Sequence, residues 1–157
     1  MLRKSQKLGL RIERYEGEES PIEILKVKYE ELQSSKGFKG MSTSLLEEVI
    51  KTEGPQWKVN VYTATDPHEL DENNLSGILV SITHGNTATY LIGYTSSEGR
   101  KNNANYLMLW NAILDAKREK VMYYDLGGLN ENTPEGIARF KKGLNAENYE
   151  LSGEFWS

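Results

Sequence analysis

The sequence contains no cysteine, and its histidines are limited to two residues, His68 and His84. Without thiols the chain cannot form a disulfide scaffold, a cysteine zinc finger or an iron–sulfur centre, and it has no cysteine nucleophile. Two histidines also argue against a histidine-rich metal site and against a Ser-His-Asp triad. The sequence therefore predicts no metal centre.

Long apolar runs are missing as well. No stretch approaches the roughly 18 consecutive apolar residues that a membrane-spanning helix requires. The first residues, MLRKSQKLGLRIERYE, lack the apolar centre of a signal peptide. We therefore expect no transmembrane segment and a cytoplasmic location.

The composition is that of a folded domain of ordinary size. The chain has 157 residues, of which 38% are hydrophobic and 27% are charged, so it differs from a disordered chain. Its net charge of −4 gives no overall attraction to nucleic acid, although a local basic patch remains possible. No linker or repeat divides the sequence, which predicts a single domain over residues 1–157.

The hydrophobic pattern alternates between strand and helix periods along the chain. It predicts a strand, two helices, three strands, a long helix, a strand, a short helix and a final strand. This order indicates an α/β fold with a mixed, mostly antiparallel sheet and helices on both faces. The predicted elements span residues 8–15, 21–36, 42–53, 57–63, 78–82, 87–95, 103–120, 121–126, 133–144 and 149–156.

The junction between the strand at 87–95 and the long helix is rich in small and polar residues. A helix N-terminus presents free N–H groups and a partial positive charge. Arg100 and Lys101 add two full charges at this point. The segment is therefore a candidate for holding a phosphate or the anionic end of a substrate; the alternative is a solvated loop with an asparagine cap.

The element order and this junction resemble the GNAT superfamily of acyltransferases. There the long helix begins with Arg/Gln-x-x-Gly-x-Gly/Ala, which cradles the pyrophosphate of coenzyme A. Arg100 matches the first position, whereas Asn103 and Asn105 stand where the superfamily has its two glycines.

A narrower resemblance is to the second GNAT-like domain of the Fem-type peptidyltransferases, the group that includes FemA, FemB, FemX and MurM. The shared pieces are a glycine-bearing strand, an Ala-Asn-Tyr-Leu helix start, Trp110, the strand end Tyr-Tyr-Asp-x-Gly-Gly and the segment Arg-Phe-Lys-x-Gly. They occur in order over about residues 75–155. The resemblance implies transfer of an amino acid from aminoacyl-tRNA to the peptide of a peptidoglycan precursor.

The resemblance also implies the partners of the reaction. The donor is aminoacyl-tRNA, so no cofactor is expected. The acceptor is a lipid-linked or UDP-linked muropeptide. Fem-type enzymes have two GNAT-like domains, so a second such domain is expected in cis or in trans.

In the resembled family a Phe-Lys pair lies near the transferred aminoacyl group, and it corresponds to Phe140 and Lys141. A positioned ammonium stabilises the oxyanion that forms when an amine attacks an ester carbonyl. Lys141 is therefore the candidate catalytic residue and Phe140 a candidate substrate contact. The alternative is a basic helix face with Phe140 in the core.

Three further residues complete the candidate substrate-binding set. Asp125, at a strand end before two glycines, is placed to position the amine or accept a proton; the alternative is an Asp that caps a loop. Gly93 interrupts an apolar strand, which often marks a bulge or a close approach; the alternative is a packing glycine. Tyr106 belongs to the shared helix start.

Two other functions remain open from the sequence. One is a stand-alone GNAT N-acyltransferase that uses acyl-coenzyme A. The other is a non-catalytic binding domain.

Overall fold

The structure, a computed structural model, describes residues 2–16, 21–37, 39–69, 75–128 and 133–150. The chain divides into two compact units, Met1–Gly127 and Gly128–Ser157. The first unit carries the sheet, and the described part of the second carries one helix. The single domain expected over residues 1–157 stays a prediction.

The first unit contains five strands and five helices among its described residues. Its elements are α1 Leu2–Lys7, β1 Arg11–Glu16, α2 Ile22–Lys36, α3 Thr43–Lys51, β2 Trp57–Thr65, β3 Gly77–His84, β4 Thr87–Thr95, α4 Ser97–Lys101, α5 Ala104–Arg118 and β5 Tyr123–Asp125. In the second unit α6 spans Glu135–Lys142.

The strands form one sheet in the order β1-β2-β3-β4-β5. The first four strands pair antiparallel, and β5 pairs parallel to β4. The hairpin between β3 and β4 turns at Gly85, whose φ of 56° is the left-handed conformation that glycine adopts without strain. The mixed, mostly antiparallel sheet predicted from the sequence is confirmed.

Helices α2 and α3 cover one face of this sheet. Leu25 and Leu46 are fully buried against valines and isoleucines of β2, β3 and β4. An ion pair of 2.5 Å between Lys26 and Glu47 joins the two helices. The apolar stripes of both helices therefore form the larger core.

Helix α5 covers the opposite face. The Tyr62 hydroxyl of β2 donates a hydrogen bond of 3.1 Å to Asp115 of α5. Gly77 of β3 leaves room for Met108, because a Cβ there would stand 2.6 Å from the methionine methyl group. Helices on both faces of the sheet are therefore confirmed.

The buried side of α5 agrees only in part with the stripe that helical spacing predicts through Tyr106, Leu109, Trp110, Ile113, Leu114 and Lys117. Leu109 is fully buried, whereas Trp110 is 40% exposed. Three alanines face the core together with larger apolar residues. The buried residues are Ala104, Leu107, Met108, Leu109, Ala112 and Ala116.

The beginning of the chain also differs from its prediction. The sequence suggests a basic, solvated segment that enters a strand at Leu8, but residues Leu2–Lys7 form α1, which packs on α5. Ser5 is completely buried and its hydroxyl bonds the Leu2 carbonyl at 2.8 Å. The first strand begins at Arg11 instead.

The last two predicted strands agree less well with the structure than the first four do. A strand is present within the predicted range 121–126, but it spans only Tyr123–Asp125. The expectation that this segment is buried is wrong, because Met122 and Tyr123 are 69% and 60% exposed. Of the strand expected at 149–156, residues 149 and 150 are not in a strand, and residues 151–157 lie outside the described part of the chain.

Candidate functional site

Strands β4 and β5 pair over only three residues each. The parallel register joins Thr87 to Tyr123 and ends where Thr89 meets Asp125. Strand β4 continues to Thr95, whereas the chain leaves β5 through Gly127. Within the described residues, no strand pairs with β4 on this side beyond Thr89. We call this edge of β4, from Tyr90 to Thr95, the strand opening.

A β-bulge lies beside the strand opening. Val80 pairs with Ile92, whereas Ser81 pairs with Tyr90, so Leu91 is an extra residue in β4. A bulge changes the direction of its strand and the orientation of its side chains. The bulge predicted near Gly93 is therefore present, but it lies at Leu91.

Gly93 is packed by the side chain of Tyr90. A Cβ at Gly93 would collide with the Tyr90 hydroxyl and would lie 3.2 Å from its Cζ. The group that approaches Gly93 is thus a phenol of the same strand, which agrees with the alternative of a packing glycine. The role of Gly93 in binding a substrate stays a prediction.

The sequence analysis did not identify Tyr90. The feature that could have indicated it is its position three residues before Gly93, a glycine within a strand. Burial raises the pKa of the Tyr90 phenol well above its usual value. Burial also raises the pKa of Tyr124 to about 12, and the Tyr124 hydroxyl donates to Ser81 at 3.2 Å. Both phenols therefore stay neutral at physiological pH.

The junction after β4 contains an additional short helix, α4. Ser96 caps it by accepting a hydrogen bond of 3.0 Å from the Gly99 amide, as serine commonly does. The Ser96 amide donates to the Ser76 carbonyl at 3.0 Å. Gly99 lies so close to this carbonyl that a Cβ would overlap it. These contacts fix the junction against the start of β3.

The two basic residues of the junction are both exposed on α4. Arg100 donates to the Thr95 carbonyl at 2.9 Å. Lys101 pairs with Glu98 at 2.5 Å, and its carbonyl accepts from Lys4 at 3.3 Å. Both cations lie directly before α5, where the sequence predicts a phosphate site. Their role in holding an anion stays a prediction.

Asn103 has the conformation of a glycine. Its φ of 55° and ψ of 39° are left-handed, and asparagine tolerates this region better than other side chains do. Asn105 and Tyr106 follow in the first turn of α5, and both are half-buried. Asn103 therefore gives the chain a left-handed residue directly before α5.

The Asp125 carboxylate holds the turn after β5. It accepts a hydrogen bond of 2.8 Å from the Gly127 amide, and Gly127 has a φ of 77°. The interpretation of Asp125 as a loop cap is therefore confirmed. Its proposed contact with the amine stays a prediction.

Phe140 and Lys141 lie on α6, in the second unit. The Lys141 ammonium donates to the Gly128 carbonyl at 2.9 Å, and both Phe140 and Lys141 are half-buried. Arg139 pairs with Glu135 and is 78% exposed. The contact with Gly128 orients the Lys141 side chain within its own unit.

Both histidines are exposed, as the sequence predicts. His84 lies at the hairpin turn, 3.2 Å from the Thr89 hydroxyl. Across the described ranges, no group of three or more histidine, aspartate or glutamate side chains is arranged to hold a metal ion. None of the helices described there is both long and apolar enough to cross a bilayer.

The fold is that of the GNAT acyltransferases. A structure of an aminoglycoside acetyltransferase from an uncultured soil metagenomic sample, in complex with sisomicin, is 12% identical with a TM-score of 0.62, and 97% of each chain is covered. A ribosomal-protein-alanine N-acetyltransferase from Brucella melitensis biovar Abortus 2308 is 10% identical with a TM-score of 0.62; 93% of this chain and 98% of that chain are covered.

About half of the FemX chain has the same fold as this chain. Its crystal structure has a TM-score of 0.68 and 14% identity, and the match covers 90% of this chain and 51% of FemX. The chain therefore spans about half the length of FemX. No curated protein sequence matches the chain.

The FemAB family model matches residues 58–157, which is more than half of the sequence. The chain belongs to the FemAB family. Family and fold together indicate an acyltransferase.

Proposed function

We propose that this chain is part of an enzyme that transfers an amino acid from aminoacyl-tRNA to an amine in the peptide of a peptidoglycan precursor. The observation that carries this proposal is the FemAB family match over residues 58–157. That range contains the strand opening and every candidate site residue.

The reaction needs little from a cofactor, because the aminoacyl ester is already activated. The acceptor amine forms a bond to the ester carbonyl carbon. The bond between this carbon and the ribose oxygen breaks, and the proton lost by the amine ends on that oxygen. The protein has to stabilise the negative charge that develops on the carbonyl oxygen.

Lys141 supplies the charge that stabilises this oxyanion in the proposed reaction. Its ammonium is half-buried and oriented by the Gly128 carbonyl at 2.9 Å. A positioned cation is already organised before the reaction, which is the main source of electrostatic catalysis. Phe140, its neighbour on α6, contributes contact with the substrate.

Donor binding in the first unit is assigned to the strand opening and to the junction that follows β4. Arg100 and Lys101 neutralise donor phosphates, as cations do in nucleic-acid binding. Asn103, Asn105 and Tyr106 form the first turn of α5 beside them. The main chain around Gly93 and the residue Asp125 border the strand opening and contact the aminoacyl end.

The acceptor is a lipid-linked or UDP-linked muropeptide, and the location is the cytoplasm. The match covers 51% of FemX. A second GNAT-like domain, in cis or in trans, is therefore part of the proposed enzyme.

A second candidate is N-acyl transfer from acyl-coenzyme A. Arg100 favours it, because this arginine matches the first position of the coenzyme A motif and stands with Lys101 directly before α5. A non-catalytic binding domain is the third possibility that the sequence leaves open.

The proposal is tested by replacing Lys141 in the natural gene product that contains this chain. Lys141→Met should lower transfer of a labelled amino acid from aminoacyl-tRNA to a UDP-linked muropeptide by roughly a hundredfold, since removing one oxyanion donor costs about that much. Lys142→Met is the matched control, because Lys142 is exposed on the same helix and should retain activity.

Three results would contradict the proposal. Full activity of Lys141→Met would remove this residue from the mechanism. A wild-type protein without transfer, but stabilised against heat by acetyl-coenzyme A, would favour the second candidate, because a ligand of the native state raises its stability. A protein that shows neither effect would be a binding domain.

A further inference from the structure

Helices α1 and α4 bring together the basic residues of two distant sequence segments. Helix α1 packs on α5, and α4 ends directly before α5. The Lys4 ammonium donates to the Lys101 carbonyl at 3.3 Å, although 97 positions separate the two residues in the sequence. We call the exposed cations of the two helices the basic surface; they are Arg3, Lys4, Lys7, Arg100 and Lys101.

The basic surface concentrates positive charge on a chain whose net charge is −4. Residues 2–8 and 97–114, which include α1, α4 and most of α5, contain five basic residues and one acidic residue, Glu98. Glu98 pairs with Lys101. Within the part of the chain that the structure describes, Arg3, Lys7 and Arg100 form no ion pair with a carboxylate. A local excess of unpaired cations attracts a polyanion.

The three cations of α1 share one side of the helix. Lys7 follows Arg3 by four positions and Lys4 by three, and at these spacings helical side chains are neighbours and like charges repel each other. Helix α1 has no acidic residue that would offset this repulsion. Ser5, on the opposite side, is completely buried. The helix is therefore fixed with its cations toward solvent, where an external anion would relieve their repulsion.

The chemistry of α1 suits an RNA backbone better than a lipid surface. Cations about 5–6 Å apart at their Cβ atoms match the successive phosphates of one RNA strand. A helix that binds a membrane surface needs a broad exposed apolar side in addition to its cations. The single apolar residue of α1, Leu2, is half-buried, and Leu8 follows the helix as an isolated exposed leucine.

We propose that the basic surface binds the phosphodiester backbone of the donor tRNA beyond its aminoacylated end, with Arg3, Lys4 and Lys7 extending the contact that begins at Arg100 and Lys101. This inference rests on the proposed function. It goes beyond that function by giving a role in RNA binding to α1, which lies outside the range 58–157 that the family model matches.

The test measures binding of a deacylated, fluorescently labelled tRNA to the natural gene product that contains this chain. Arg3→Gln combined with Lys7→Gln should weaken binding by roughly tenfold at about 0.15 M salt, because each lost phosphate contact reduces the release of counterions. The slope of log K against log salt concentration should become shallower by roughly 2, which is about one for each cation removed. A purely structural role of α1 would leave this slope unchanged.

The double variant is chosen to preserve the fold. The side chains of Arg3 and Lys7 form no hydrogen bond or ion pair with any described residue, and Lys4 keeps its bond to the Lys101 carbonyl. Urea denaturation should therefore give the wild-type stability. Lys36→Gln combined with Lys51→Gln is the matched control, because it removes the same charge from exposed positions on α2 and α3, on the other face of the sheet. This control should keep the wild-type affinity and slope.

The possible failures are distinguishable. Unchanged tRNA affinity and slope in the Arg3 and Lys7 double variant would overturn the role of α1 alone, as would an equal loss in the control. Wild-type binding to vesicles of equal parts phosphatidylglycerol and phosphatidylcholine that the double variant loses, with tRNA affinity unchanged, would make α1 a membrane contact instead. A wild-type protein that does not bind tRNA would overturn the tRNA donor of the proposed function, and this inference with it.

Discussion

At the scale of single residues, Asn103 explains how a GNAT-type junction forms without the glycines of the motif. Its left-handed backbone, with a φ of 55°, precedes the first turn of α5. Asparagine is the ordinary residue that best replaces glycine in this conformation, because its short polar side chain forms local hydrogen bonds. The sequence shows an asparagine in place of a glycine at position 103, and the structure shows that the backbone there is left-handed.

Replacement of Asn103 by alanine is therefore expected to lower the free energy of unfolding by about 1 kcal/mol relative to replacement by glycine, because a Cβ without such compensation is strained at positive φ. Urea denaturation of both variants measures the difference. Asn102→Ala is the matched control, since Asn102 has an ordinary φ of −90°. Equal stability of Asn103→Ala and Asn103→Gly would contradict this account.

At the scale of elements, the sequence predicted the helices and strands with strong periodic patterns and missed those whose burial depends on close packing. Strands β2 and β3 alternate clearly, so their faces could be predicted from the sequence. Helix α5 could not, because its alanines, such as Ala112 and Ala116, carry little apolar signal but face the sheet. Helix α1 is short and basic. Its sequence has no apolar stripe that would predict its packing on α5.

The residues of the candidate site also differ in whether the sequence could identify them. The junction residues Arg100 and Lys101 could be found from their position between a strand and a helix. Tyr90 could not, because its importance depends on a bulge at Leu91, and a bulge depends on the register of two strands rather than on the sequence of one. Contacts across strands are decided by pairing, which a single segment does not encode.

Arg14 joins β1 to β2 and α5. It donates to the Asn60 side-chain oxygen at 2.7 Å and pairs with Glu119 at 2.6 Å and with Asp115 at 3.5 Å. Asn60 is only 4% exposed. One guanidinium thus satisfies a buried acceptor and two carboxylates, which its planar fork of donors makes possible.

Arg14→Met is expected to lower the free energy of unfolding by about 2 kcal/mol, because it leaves the buried oxygen of Asn60 without its donor and removes the cation beside Glu119. Arg11→Met is the matched control: Arg11 lies on the same strand, is 70% exposed and pairs with Glu13 in an exposed ion pair, which contributes little. Urea denaturation of both variants tests the difference, and equal losses would show that burial of Arg14 is unimportant.

At the scale of the whole molecule, the proposed function needs a second GNAT-like domain besides this chain. The chain belongs to the FemAB family, and it covers 51% of FemX. Transfer between two large substrates, a tRNA and a muropeptide, requires a surface for each. The first unit offers the strand opening and a basic junction for the donor, so the acceptor surface is assigned to the second GNAT-like domain of the proposal.

The natural gene product is therefore expected to exceed the 17.8 kDa of this chain, or to copurify with a second GNAT-like subunit. Intact-mass spectrometry on the protein isolated from its own cells, with native mass spectrometry for any complex, measures both. A larger product would direct the search for acceptor contacts to the additional domain. A product of 17.8 kDa that remains a monomer would contradict the two-domain proposal. It would then favour acyl transfer from coenzyme A or a binding function, because one GNAT-like domain provides the complete site for a coenzyme A donor and not for two macromolecular substrates.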